Sequence, residues 1–172
     1  MKTPDFAAYH KRPLREYVRK LLYEEFEPLP ADTDLTKVHW LKKTHYSLKR
    51  KMELLNVDCT RPMTKRDYVN KSFIKQEVLA DFKCPRIINS RTDRFKVETG
   101  PIFKAIEESV FKSHYFIKHV PVSQRMEHIV KLLKRPGCRY CATDYSSFEA
   151  HMTPEILEMI EFQLYSYMTK NR

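Results

Sequence analysis

Glycine is nearly absent from this chain: 172 residues contain two, Gly100 and Gly137. That scarcity excludes a flexible glycine-rich linker. It also excludes P-loop and dinucleotide-binding loops, which need several glycines where backbone approaches phosphate. Long apolar runs are missing too. None approaches the roughly 18 residues that span a bilayer, and the N-terminus lacks the apolar core of a signal segment. The four cysteines, Cys59, Cys84, Cys138 and Cys141, are too few and scattered for a disulfide scaffold, so reduced thiols are expected. Cys138-x-x-Cys141 is half of a zinc site, with no second pair at ligand spacing.

Acids are the other shortage. Lys and Arg number 32 against 22 Asp and Glu, a formal net charge of +10. Residues 1–140 hold 30 cations and 17 acids, whereas residues 141–172 hold 2 and 5. A basic body beside an acidic edge suits a polyanion held against a cation-dependent centre; a well-solvated basic surface is the plain alternative. With 42% hydrophobic residues the chain has material for one ordinary core, as one domain or part of a larger one.

Periodicity predicts helices over much of the length. Leu14, Val18, Leu21, Leu22 and Phe26 recur at helical spacing before Pro28 and Pro30 stop the run. Residues 36–55 read as one or two basic amphipathic helices, with Trp40 as a core anchor. Residues 59–75 are polar and irregular, broken by Pro62, and from Ser72 a strand or hairpin arm is expected. Gly100-Pro101 reads as a helix start, with Ile102, Phe103, Ile106 and Val110 on one face. Residues 116–122 read as a strand, followed by a helix capped by Ser123 with Met126, Ile129, Val130 and Leu133 inward. A last helix is expected from Pro154 to Met168 with Ile156, Leu157, Ile160, Leu164 and Met168 buried, still running toward the chain end.

Two stretches carry chemistry. Five cations lie within Phe82-Lys83-Cys84-Pro85-Arg86-Ile87-Ile88-Asn89-Ser90-Arg91-Thr92-Asp93-Arg94-Phe95-Lys96, a basic strand-loop-strand that is either a solvated edge or a phosphate track. In Cys141-Ala142-Thr143-Asp144-Tyr145-Ser146-Ser147-Phe148-Glu149-Ala150-His151, an expected strand over 138–144 ends on a carboxylate, and two serines turn the chain toward a second one. Asp144 then projects from a sheet edge, where a divalent cation and a phosphate can reach it together. On spacing alone, Ser146-x-x-Glu149 also reads as a capping box.

Asp144-Tyr145-Ser146-Ser147-Phe148-Glu149-Ala150-His151 resembles motif A of viral RNA-dependent RNA polymerases, in the D-x-S-x-F-D-x-H form of tombusvirus-like plus-strand RNA viruses. One departure is visible: Glu149 stands where the family usually has Asp. Lys83, Arg86 and Arg91 resemble motif F, some fifty residues earlier, in the order that family uses. The resemblance implies an α+β fragment of a right-hand polymerase. Residues 1–137 would be a helix-rich fingers portion (motif F about 75–96), and 138–172 the first strand and helix of the palm (motif A 143–151), truncated before motifs B and C.

The implied reaction is templated nucleotidyl transfer from nucleoside triphosphates to an RNA 3′ end with two Mg²⁺ ions, or Mn²⁺ in their place. Asp144 would be catalytic and a metal ligand, with the main-chain carbonyl of Tyr145 also facing a metal. Lys83, Arg86 and Arg91 would hold the triphosphate, since preplaced cations stabilise charge on a transferring phosphoryl group. Glu149 would sense the ribose 2′-hydroxyl. Implied partners are RNA template, primer or product strand, nucleoside triphosphates and the remainder of the polymerase. The implied location is replication complexes in the host cytoplasm, and the fragment alone is expected to be inactive. A non-catalytic basic RNA-binding module is the other reading that the composition leaves open.

Overall fold

The first apolar stripe folds as helix α1, Ala8–Glu25, with Val18 and Leu22 buried, in the computed structural model, which describes residues 8–78, 82, 84–146 and 148–171. The basic segment after it becomes two short helices. Thr36 caps α2, Lys37–Lys42, by accepting from the His39 N–H at 3.2 Å, and Ser47 caps α3, Leu48–Leu55, by accepting from Arg50 N–H at 3.3 Å. Two strands, β1 (Asn70–Ile74) and β2 (Ile87–Arg91), pair antiparallel from Asn70↔Arg91 to Ile74↔Ile87. Helices α4 (Asp93–Val110), α5 (Arg125–Leu133), α6 (Pro154–Met159) and α7 (Glu161–Met168) complete the order. The result is helix-rich α+β with one small sheet among the described residues.

The chain divides into two compact units, Met1–Thr33 with Ile106–Arg172, and Asp34–Ala105. In the first, α1 packs on α6 and α7. Leu29 N–H donates to the Met168 carbonyl at 2.8 Å, and Tyr167 Oη donates to the Phe26 carbonyl at 2.8 Å, so the segment after α1 is tied to α7. The core of the second unit is Trp40, Leu41, Leu54 and Val97, with Leu55, Val57 and Cys59 against it. Trp40 is thus the anchor its sequence position predicts.

Several expectations are corrected. α4 begins at Asp93, not at Gly100-Pro101, because Thr92 Oγ1 accepts from the Phe95 N–H at 3.3 Å and Asp93 adds an acid to the first turn. The second arm of the expected strand-loop-strand is therefore helical after Arg91. On α4 the buried apolar side chains include Val97 and Ile106, whereas Phe103 is exposed. No strand forms at 116–122 or at 138–144. A strand needs a neighbour for its backbone N–H and C=O groups, and among the described residues none lies beside either segment.

Ser123 lies in a 3₁₀ turn, Val122–Gln124, ahead of α5 and does not cap it. Met126, Val130 and Leu133 on α5 are exposed. The last helix is two: the chain breaks at Ile160 (φ −119°, ψ −72°), so Met159 and Met168 are buried and Ile160 is exposed. α7 ends at Met168 and does not run on.

Gly100 has a steric role. A Cβ on it would lie 2.4 Å from Trp40 Cζ2, closer than carbon atoms approach, and an indole ring packed in a core has little room to yield. Alanine in a helix interior ordinarily gains about 1 kcal/mol over glycine. Gly100→Ala is expected to reverse that sign and cost about 1–3 kcal/mol through overpacking, read as a lower denaturant midpoint. A raised midpoint would show that the ring shifts freely.

Candidate functional site

The two chemistry-bearing stretches lie in different units. In the Asp34–Ala105 unit, the hairpin register continues past the strands, with Lys75 N–H donating to the Arg86 carbonyl at 2.9 Å. This brings Arg86 onto Glu77. Arg86 Nε donates to Glu77 Oε1 at 2.6 Å, its Nη2 donates to Oε2, and Lys75 Nζ lies 3.1 Å from the same carboxylate. The Arg86 hydrogen bond is the largest cause holding the Glu77 carboxyl down to about 2, with Lys75 adding to it. Arg91 Nη1 donates to the Tyr68 carbonyl at 2.6 Å, and its guanidinium lies over the Phe95 ring at 5.0 Å. Lys83 lies outside the described residues.

Thus Arg86 and Arg91 share one hairpin, but each already has a partner in this chain. Sequence reasoning missed Glu77. The signal available was its acid charge among cations, which becomes a specific pair only when the hairpin register is known.

The same unit holds a loop built around two buried charges. Asp67 is 5% exposed and accepts from Arg61 Nη1 and Nη2 at 2.7 and 2.8 Å, from Thr64 N–H at 2.7 Å and from Thr64 Oγ1 at 2.9 Å. The Arg61 hydrogen bond first, and the Thr64 N–H next, hold its carboxyl well below the usual carboxylate range. Arg94, 7% exposed, donates through Nη2 to the Cys59 and Arg61 carbonyls at 3.3 and 2.8 Å and pairs with Glu98 at 2.6 Å. Charge follows this unit: Asp34–Ala105 contains 17 Lys and Arg against 8 Asp and Glu, and the remainder 15 against 14.

In the other unit, Gly137 (φ +74°) turns the chain after α5 into the irregular segment that leads to Asp144. Tyr140 ties this segment back: its hydroxyl accepts from Arg135 N–H at 3.2 Å and donates to the Leu133 carbonyl at 3.1 Å. Asp144, Tyr145 and Glu149 are all exposed, as are Cys138 and Cys141. The Tyr145 and Phe148 rings lie 6.1 Å apart. Phe148–His151 is a 3₁₀ turn, and Thr153 then caps α6, accepting from Ile156 N–H at 3.3 Å, with Pro154 in the first turn.

Asp144 and the carbonyl of Tyr145 are oxygen donors on solvent-reachable residues, which fits Mg²⁺ in kind, because that ion keeps several waters and needs few carboxylates. Among the described residues, however, no three His, Cys, Asp or Glu side chains gather into a metal-holding group, so these donors are at most part of such a site. Nor, among those residues, is any helix long and apolar enough to cross a membrane.

The chain is 32% identical over 109 residues to the RNA-directed RNA polymerase of Panicum mosaic virus (strain United States/Kansas 109S), an alignment covering 56% of the chain. The chain spans about 11% of that relative's length. No family model matches it. No solved structure matches it either.

Proposed function

We propose that the chain is part of an RNA-directed RNA polymerase of the tombusvirus-like type, contributing nucleotide-binding cations and one catalytic carboxylate to templated nucleotidyl transfer. The observation that carries this reading is the 32% identity to a plant-virus RNA-directed RNA polymerase, together with two motif-like stretches in polymerase order. Residues 1–137 act as fingers and 138–172 as the start of the palm. Activity needs the rest of the polymerase, RNA template and primer, and nucleoside triphosphates, at replication complexes in the host cytoplasm.

Within that reading, Asp144 and the Tyr145 carbonyl are the residues that would hold Mg²⁺. The ion supplies charge neutralisation and activation of the attacking hydroxyl when bound. Glu149, an acceptor of hydrogen bonds, favours a ribose whose 2′-hydroxyl donates one. By the resemblance Lys83, Arg86 and Arg91 would hold the triphosphate, Arg91 while also tying β2 to the Tyr68 carbonyl. Glu77 occupies Arg86 until phosphate replaces it, as one acid exchanges for another on the same planar fork.

Titrating a 5′-triphosphorylated single-stranded RNA at several salt concentrations tests the Arg86 assignment, because the triphosphate is the group that Arg86 is proposed to meet. Arg86→Ala is expected to flatten the slope of log affinity against log salt by about 0.7, one phosphate contact on a single strand. Glu77→Gln is expected to tighten binding at low salt by freeing Arg86. Unchanged binding in both variants would remove Arg86 from the nucleotide path. The plain RNA-binding module, which the concentration of charge in Asp34–Ala105 favours, predicts the same salt slopes but no requirement for Asp144.

A further inference from the structure

The loop around Asp67 and Arg94 is held by hydrogen bonds among its own residues and to the start of α4. Arg61, Thr64 and the Asp67 carboxylate close it on one side. Arg94 grips the carbonyls of Cys59 and Arg61 from below, and Thr92 Oγ1 donates to the Asp67 carbonyl at 2.5 Å, fastening the loop to the start of α4. Between these anchors stand Lys65 and Arg66, in the 3₁₀ turn Lys65–Tyr68. Both are exposed, and neither pairs with an acid among the described residues. With Arg61 and Thr64 they line a surface hollow. Neighbouring cations repel, so a fold that fixes two of them side by side without a counter-charge leaves that charge to an outside ligand.

We propose that this loop is an RNA-docking surface, separate from Arg86, on which Lys65 and Arg66 contact successive phosphates of a single strand. Arg61 contributes less, because its fork is spent on Asp67. Pre-organisation is what the buried Arg94 and Asp67 supply: the loop loses little conformational freedom when RNA arrives, so more of the phosphate attraction appears as affinity. The contacts carry no base readout, and the surface is therefore indifferent to sequence. The proposal rests on the polymerase reading only in taking RNA, and not an acidic protein, as the polyanion.

The test is fluorescence anisotropy of a labelled oligouridylate with the 172-residue chain, across salt concentrations. Lys65→Ala/Arg66→Ala is expected to flatten the log–log salt slope by about 1.4, two single-strand contacts at about 0.7 each. Lys65→Gln/Arg66→Gln is expected to do the same while keeping polar side chains on the loop. Lys134→Ala/Arg135→Ala, exposed cations of the other unit, is the control expected to leave the slope unchanged. Circular dichroism melts show whether each variant folds, and the glutamine pair serves if the alanine pair does not.

An unchanged slope in a folded variant overturns the proposal. So does a poly-glutamate of equal charge that displaces the RNA at the same concentration as unlabelled RNA, because the surface would then not distinguish the two polyanions. The two readings fail separately. A reduced slope here, alongside full-length polymerase activity that survives loss of Asp144, would leave the loop standing and remove the catalytic assignment; the converse pattern would remove only the loop.

Discussion

Trp40→Ala is expected to destabilise the Asp34–Ala105 unit by about 3–5 kcal/mol, the cost of deleting a buried ring from a core that relaxes only partly. Small domains are stable by about 5–15 kcal/mol in all, so this one change removes much of what holds the unit. Trp40 is 7% exposed, shares the core with Leu41, Leu54 and Val97, and meets Tyr46 edge-to-face at 6.4 Å. It is also the chain's single tryptophan, so its emission reports unfolding of this unit alone in the parent protein. The variant is followed by far-ultraviolet circular dichroism in denaturant. The Gly100 contact supplies an internal check, because alanine at 100 clashes only while the indole is present. In a Trp40→Ala background Gly100→Ala should therefore become neutral or stabilising, and a double-mutant cycle should show coupling of at least about 1 kcal/mol. Additive effects would mean that the two residues do not press on one another.

Asp144→Asn, made in the full-length polymerase, is expected to lower primer extension by about a thousandfold or more, the scale on which a single preorganised electrostatic contact counts in catalysis. Asparagine keeps the size of aspartate but loses its charge, and a hard divalent cation is held chiefly by that charge. Asp144 is exposed, and no described hydrogen bond or ion pair of the fold uses its carboxylate, so stability should change little. RNA affinity should likewise persist, since the cations proposed to meet the strand lie in the other unit. Loss of extension with unchanged RNA binding is the expected pair of results. Extension within tenfold of the parent would sink the assignment of Asp144, and with it the resemblance of 143–151 to motif A.

What could be read from the sequence was local. Helices form at α1, α2 and α3, where the apolar spacing places them, and Trp40 is inside, whereas the caps at Thr36, Ser47 and Thr153 were not read and the one expected at Ser123 does not form. The failures share a cause. Residues 138–144 and 116–122 have strand-like composition, but pairing depends on a neighbour that composition does not specify. α4 starts early because Thr92 and Asp93 outrank the later Gly100-Pro101, and glycine at 100 answers to the Trp40 ring, not to a helix boundary. At the candidate site, the residue types and their order were legible. Their partners were not: Glu77 meets Arg86 across nine positions, and Arg94 reaches Cys59 across thirty-five, both consequences of register and tertiary packing.

If the chain binds RNA as proposed, the unequal division of charge gives that RNA a second effect. A unit with 17 cations and 8 acids stores like-charge repulsion that its own fold must outweigh, whereas the near-neutral unit, with 15 and 14, has almost none. A bound strand would act as the missing counter-ion. By mass action it stabilises only the state that binds it, in proportion to the logarithm of its concentration. The folded population of the Asp34–Ala105 unit would then rise with the concentration of the strand. In dilute salt without a polyanion, like-charge repulsion works against the Asp34–Ala105 unit more than against the other.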